Sequence, residues 1–381
     1  MFFICSRPAP ILPAMDEELH PRPRKGRGAI SNPDGRFEAF RRVAVDDGWA
    51  RAGAGADEEE EQDAPGPATT LSPDASRSII ARNDSPDIPF DRSINPYRGC
   101  EHGCVYCYAR PTHGWLGLSA GLDFETRIFF KPDAARLLRA ELARPGYRPA
   151  PIAFGTNTDP YQPAERGLRI TRALLELLAE HDHPVTIVTK SALVLRDADI
   201  LGPMSRRRMA RVFLSVTTLD RGLARRLEPR ASSPARRLEA IAGLAAAGVD
   251  VGVMAAPLIP ALTDHELEPL LEAAARAGAR SAGYTMLRLP HEVKDLFREW
   301  LEAHEPLKAA RVLARVARMR GGALNDPRFG SRIVGEGEEA ALVARRFRLA
   351  CERLGLGGER RPLDASRFRP PAGDPRQLGL F

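Results

Sequence analysis

At 381 residues the chain can bury a large core, as one barrel-sized domain or as two. A hydrophobic content of 43% and a charged content of 28% are those of an ordinary globular protein, and no apolar run reaches the roughly 18 residues that a membrane span needs. The formal net charge of +6 allows a polyanionic partner such as nucleic acid, but the basic residues are nearly all arginine, and arginines spread along amphipathic helices usually form a solvated face.

The start, MFFICSRPAPILPAM, has no basic region ahead of its apolar residues and no small-residue cleavage site, so it is not read as a signal peptide. Met15 is an alternative start to Met1. Residues 1–85 are expected to be a flexible arm. They hold PRPRKGRGA, the acidic run Asp57 to Glu61 and the Pro/Gly/Ala-rich PGPATTLSPDAS, with little apolar periodicity to offset the entropy of ordering. Within them, KGRGAISNPDGRFEAF is either a basic clamp on phosphates or an arm packed on the main domain, beside the plainer flexible reading.

From about residue 92, short β-branched runs alternate with amphipathic segments. A strand is expected just before Cys100, then over 151–156, 185–190, 211–218, 249–259 and 281–289. Helices are expected over 133–143, 166–180, 197–210, 234–247 and 264–277, with Gly248 and Gly278 as left-handed residues past two of them. Thr263 with Glu266 three residues on has the capping-box pattern. About six βα units follow, which an open doubly wound sheet and a partial barrel both satisfy. Functional residues then belong at the C-terminal ends of the strands. The core spans 86–290, a helical extension 291–360, and 361–381 reads as a loose tail.

Cys100, Cys104 and Cys107 lie within SINPYRGCEHGCVYCYAR. Three thiolates so close together point to a metal or cluster site, with one coordination position left over. Zinc would need His102 or His113 as a fourth ligand, at a spacing uncommon for zinc. An iron–sulfur cluster suits the short loop better, because Gly99 and Gly103 let backbone amides approach the sulfurs. Cys5 and Cys351 lie far from the triplet in sequence, so a disulfide framework is not expected and a reducing cytoplasm fits. Cys351 reads as a buried cysteine on an apolar helix face.

CEHGCVYC resembles the C-x3-C-x2-C motif of radical S-adenosylmethionine (radical SAM) enzymes, with Tyr106 as the aromatic residue before the last cysteine. Over about 90–290 the chain is most similar to the spore photoproduct lyase-like branch. The uncharacterised subgroup it resembles most reads much like SPDIPFDRSINPYRGCEHGCVYCYARP, GTNTDPYQP and LEPRASSPARRLEAI. The resemblance implies an α/β fold, a partial (β/α)6 barrel. It also implies a [4Fe–4S] cluster on the three cysteines, and S-adenosylmethionine chelated to the fourth iron. Cleavage of that cofactor would give a 5′-deoxyadenosyl radical for hydrogen abstraction, with reduced ferredoxin or flavodoxin as electron donor.

The resemblance further implies cofactor contacts from Tyr106, from Thr156, Asn157 and Asp159 after the second strand, from Lys190 after the third and from Ser215 on the fourth. Glu228 and Arg237 would pair to order a loop or touch the cofactor, and APLIPALTD would bracket the adenine. Plainer readings stand beside these: an Asn/Asp/Pro turn, a solvated strand-end lysine, a sheet serine and a helix-entry ion pair. One departure is clear. The lyase has a cysteine after its second strand that returns hydrogen to the product radical, and GTNTD has none. The substrate is therefore open, with DNA or a nucleotide favoured by kinship and charge. A zinc- or cluster-stabilised nucleic-acid-binding protein is the non-enzymatic alternative.

Overall fold

The computed structural model describes residues 22–38, 67–357 and 361–372. Its centre is a seven-stranded sheet. Two small strands come first in the chain, β1 (Thr70–Pro73), which lies outside this sheet, and β2 (Ile80–Arg82), which joins its edge. β3 (Arg92–Ile94) opens the parallel series, and β4 (Tyr97–Arg98) and β5 (Arg127–Phe130) lie outside it. The series continues with β6 (Ile152–Phe154), β7 (Val185–Thr189), β8 (Ala210–Val216), β9 (Asp250–Leu258) and β10 (Ser281–Met286).

The order is β10-β9-β8-β7-β6-β3-β2, so six parallel strands follow one another in chain order and β2 closes the edge antiparallel to β3. Each parallel pair is joined through helical segments, as βα units require. The register is regular through the centre, with Val185 opposite Ala210 and Thr189 opposite Leu214. Strands such as VTIVT supply β-branched residues to one large core shared with the helices behind the sheet. This is the partial (β/α)6 arrangement expected.

The helices match the expected segments with physical differences. Residues 166–180 break at Arg169, whose φ is +53°, into Glu165–Leu168 and Ile170–Glu180. The buried Glu165 carboxylate accepts the amides of Thr171 and Arg172 and so caps the second helix. Thr263 makes no capping hydrogen bond. Its hydroxyl accepts the Ile259 amide at 2.9 Å, and Glu266 accepts the Leu219 amide across the fold, so the capping box does not form. A helix over Arg221–Leu227 was not foreseen, although Asp220 caps it through the amides of Gly222 and Leu223. Gly248 and Gly278 are left-handed, as read.

The arm expected to be flexible is packed where it is described. Ala29 and Ile30 are buried, β1 pairs with β5, and β2 joins the main sheet. The acidic run Asp57 to Glu61 lies outside the described residues. Among the described residues, four helices follow the barrel, Val293–His304, Pro306–Arg318, Ser331–Val334 and Gly337–Leu354. The expected loose tail is anchored over 361–372: the Phe368 ring lies 5.4 Å from Tyr147 and 5.3 Å from His183. Cys351 is buried on the last helix.

Candidate metal centre at the mouth of the sheet

β3 ends at Ile94, and the cysteine loop follows after the short β4. All three loop cysteines are reduced, Cys100 and Cys104 buried and Cys107 half-buried. Gly99 and Gly103 both adopt left-handed φ, +77° and +68°. A Cβ at Gly103 would lie 2.7 Å from a Glu125 carboxylate oxygen, so the turn admits only glycine.

Burial pushes the Cys104 thiol up to about 12, partly offset by Lys190, and holds Cys100 well above the ordinary value with help from Asp159 and the neighbouring thiols. A thiolate triplet here needs a bound cation, which is the donor chemistry of a metal or cluster site. The thiols feel one another's charge, but no trio of His, Cys, Asp or Glu among the described residues forms a ready-made ligand group. Each histidine has one ring nitrogen engaged away from the thiols. His102 Nδ1 faces Asp159 at 3.4 Å, and His113 Nε2 bonds the Arg127 carbonyl at 3.0 Å.

The loop is held by residues that the sequence did not mark. Arg110 is fully buried and donates to the carbonyls of Cys104 (2.9 Å), Gly103 (3.2 Å), Ala120 (3.1 Å) and Gly121 (2.9 Å). It also pairs with Glu125, equally buried, whose carboxylate accepts the amides of Gly28 and Ala29. The N-terminal segment is thereby laid on the cysteine loop so closely that a Cβ on Gly28 would fall 1.7 Å from the Gly103 carbonyl oxygen. Gln162 bridges the Gly99 carbonyl and the Glu101 amide. Arg230 pairs with Glu101 at 3.1 Å, and its amide donates to the His102 carbonyl. GTNTDPYQP and LEPRASSPARRLEAI, singled out by resemblance, thus both buttress CEHGCVYC.

Asp159, Glu228 and Arg237 turn inward rather than toward open space. Asp159 accepts from the Thr189 hydroxyl (2.7 Å), the Lys190 amide (2.8 Å) and the Tyr161 amide (2.9 Å). Burial opposes its charge, but His102 and these donors hold it at a pKa of about 2. Tyr106 donates to Glu228, as do Thr217 (2.6 Å) and Arg237. Arg237 also binds the carbonyls of Ser215 (2.8 Å) and Ser232 (2.7 Å). Against its burial, Arg237 and Lys190 hold Glu228 at about 2.

Thr156 and Asn157 follow Gly155 at the end of β6, where Asn95 accepts the Asn157 amide at 3.1 Å. Ser215 is buried near the end of β8, two residues before Thr217. Lys190 stands apart. Its ammonium lies 5.7 Å over the Tyr106 ring and makes no hydrogen bond or ion pair among the described residues. Burial lowers its pKa, but Cys104 and Glu228 outweigh that, so it stays charged.

The Radical SAM superfamily model matches residues 94–274, from the last residue of β3 through the third-last residue of the helix Leu267–Arg276. An uncharacterized protein of Mycobacterium tuberculosis is 38% identical over 221 residues, covering 58% of this chain and 65% of the relative. One of Methanocaldococcus jannaschii is 28% identical over 173 residues, covering 45% and 62%. The chain thus matches less than two thirds of the length of these relatives. Among solved structures, spore photoproduct lyase complexed with dinucleoside spore photoproduct gives a TM-score of 0.51 at 18% identity, over 74% of this chain and 79% of that one. A variant of it with bound AdoMet (S-adenosylmethionine) and the same dinucleoside also gives 0.51, at 17% identity over 74% and 78%. The chain is therefore similar to the Radical SAM superfamily over residues 94–274 and shares the fold of spore photoproduct lyase.

Proposed function

We propose that Cys100, Cys104 and Cys107 hold a [4Fe–4S] cluster, that S-adenosylmethionine binds beside it, and that the enzyme uses their reaction to abstract hydrogen from a substrate. One observation carries this reading: three thiols on one loop, and a Lys190 ammonium with no hydrogen bond or ion pair among the described residues, lie past the C-terminal ends of strands in a six-stranded parallel series. When bound, the cluster supplies the electron that cleaves the cofactor's sulfonium.

The chain's own residues divide the remaining work. Lys190 offers its charge to the cofactor carboxylate. Thr156 and Asn157 offer hydrogen-bonding groups to the methionine amino group, on a turn that Asp159 and Asn95 fix. Ser215 lines the wall between them. Glu228 and Arg237 lock Tyr106, and through it the backbone of Cys107. Arg110 and Glu125 hold the loop carbonyls still and exclude water from behind it. We place the protein in the cytoplasm, with reduced ferredoxin or flavodoxin as donor, acting on a nucleotide or nucleic acid.

Anaerobic reconstitution tests the reading. The expected result is about four iron and four sulfide per chain, with 5′-deoxyadenosine formed on adding S-adenosylmethionine and dithionite. Cys104→Ala should lose both. Bound zinc without cofactor cleavage, or full iron in the variant, would overturn the proposal.

A further inference from the structure

Past the end of β10 stands a positive charge that the described fold does not answer. The guanidinium of Arg288, two residues beyond the strand, lies 4.5 Å over the ring of Tyr108. Tyr108 directly follows Cys107 and donates its hydroxyl to the Thr156 carbonyl past the end of β6. β10 and β3 are the first and last members of the parallel series, so Arg288 reaches from one side of the open barrel to the cysteine loop on the other. It is half-buried, and among the described residues no group accepts a hydrogen bond from any of its five N–H donors.

Its neighbours are positive too. Arg320 is buried and spends its donors on the carbonyls of Leu287 (2.8 Å), Met286 (3.0 Å) and Arg332 (3.2 Å). Arg332 pairs with Asp87 and lies 4.6 Å over Phe329. Asp326 is taken by Arg328 and Ser331, and Glu336 also pairs with Arg328. Burial lowers the Arg288 pKa, Tyr108 and Cys107 act against that, and repulsion from Arg332 adds to it beyond what Asp87 offsets. A partly desolvated guanidinium without an anion costs free energy unless a ligand supplies one.

We infer that Arg288 is the docking point for a phosphate group of the substrate, at the mouth and beside the cysteine loop. The guanidinium fork fits phosphate oxygens bidentately, and the flanking arginines favour more than one negative charge. Tyr108 and Phe329, 44% and 59% exposed, each carry a guanidinium on one ring face. Such an arginine–aromatic surface suits a nucleoside base beside its phosphate. The substrate class is a phosphate-bearing nucleoside unit, free or within a strand. This deepens the radical SAM reading and rests on it.

The test uses the reconstituted full-length protein with S-adenosylmethionine bound. Binding of thymidine, thymidine 5′-monophosphate and single-stranded decathymidylate is measured by calorimetry for the wild type, Arg288→Gln and Arg288→Lys. Wild type should bind a phosphate-bearing probe and not thymidine. Arg288→Gln should weaken that binding about tenfold or more, and Arg288→Lys should weaken it less. Preference for the monophosphate assigns a free nucleotide, and preference for decathymidylate assigns a strand. S-adenosylmethionine affinity and 5′-deoxyadenosine formation without substrate should be unchanged in both variants. Equal binding by Arg288→Gln, no phosphate preference in the wild type, or a loss of S-adenosylmethionine affinity instead would each overturn the inference. Failure of the wild type to form 5′-deoxyadenosine would sink the radical SAM reading separately.

Discussion

Replacing Arg110 by Met should unfasten the cysteine loop without touching a cysteine. The side chain is fully buried and anchors four carbonyls, two of them on the loop itself, besides pairing with Glu125. Methionine keeps much of the volume but leaves the Glu125 carboxylate buried, with the amides of Gly28 and Ala29 and the neighbouring charge of Arg27 to answer it. Breaking a buried pair from one side costs about 3–5 kcal/mol. That is a large share of the roughly 5–15 kcal/mol that holds a typical domain together. Urea unfolding of the metal-free protein, followed by circular dichroism, removes any contribution from bound metal. Arg110→Met should lower the midpoint markedly, and reconstituted Arg110→Met should retain less iron than wild type. The double variant Arg110→Met/Glu125→Leu should recover part of the loss, because no buried charge is left unpaired. The two substitutions should then be non-additive by about 1 kcal/mol or more. A single variant of wild-type stability and iron content, or strict additivity, would refute the clamp.

Two further outcomes follow from the polar groups around the loop. Lys190→Ala should weaken S-adenosylmethionine binding by about 1–3 kcal/mol, the worth of a hydrogen bond to a charged group, with the cluster intact; equilibrium binding to the reconstituted protein measures it, and unchanged affinity returns Lys190 to a solvated strand end. Glu228, held at about 2 against an ordinary 4.5, contributes stability that is fully present above the ordinary value and lost as pH falls toward 2. Denaturation midpoints measured from pH 6 down to 2 should fall less steeply in Glu228→Gln than in wild type, and parallel curves would show that the carboxylate does not carry that pH dependence.

How far the chain could be read from its residues differs between scaffold and site. Strand runs such as VTIVT and FLSV carry their period in adjacent positions, so six parallel strands were countable before any packing was known. The left-handed glycines after two helices were readable for the same local reason. Thr263 and Glu266 had the local pattern of a cap, yet each bonds a partner outside the turn because the fold offers them Ile259 and Leu219. Residues 22–38 read as loose because their own composition buries little, and Ala29 packs with Ala120, Leu122 and Leu296, far along the chain.

The sequence by itself determined the alternation of strands and helices and the spacing of three thiols on a glycine-hinged loop, because both are local properties of a few neighbouring residues. Only the tertiary structure decided what secures that loop. Glu125 meets Gly28 across 97 positions, Tyr106 meets Glu228 across 122, and Arg288 meets Tyr108 from the far strand of the barrel. Pairings over such separations leave no period or spacing in the chain. They exist because the sheet brings its C-terminal ends to one mouth, where buried charges must find partners. Asp159, Glu228 and Arg237 find hydrogen-bonded partners within the described protein, while the side chains of Lys190 and Arg288 rest on aromatic rings without one.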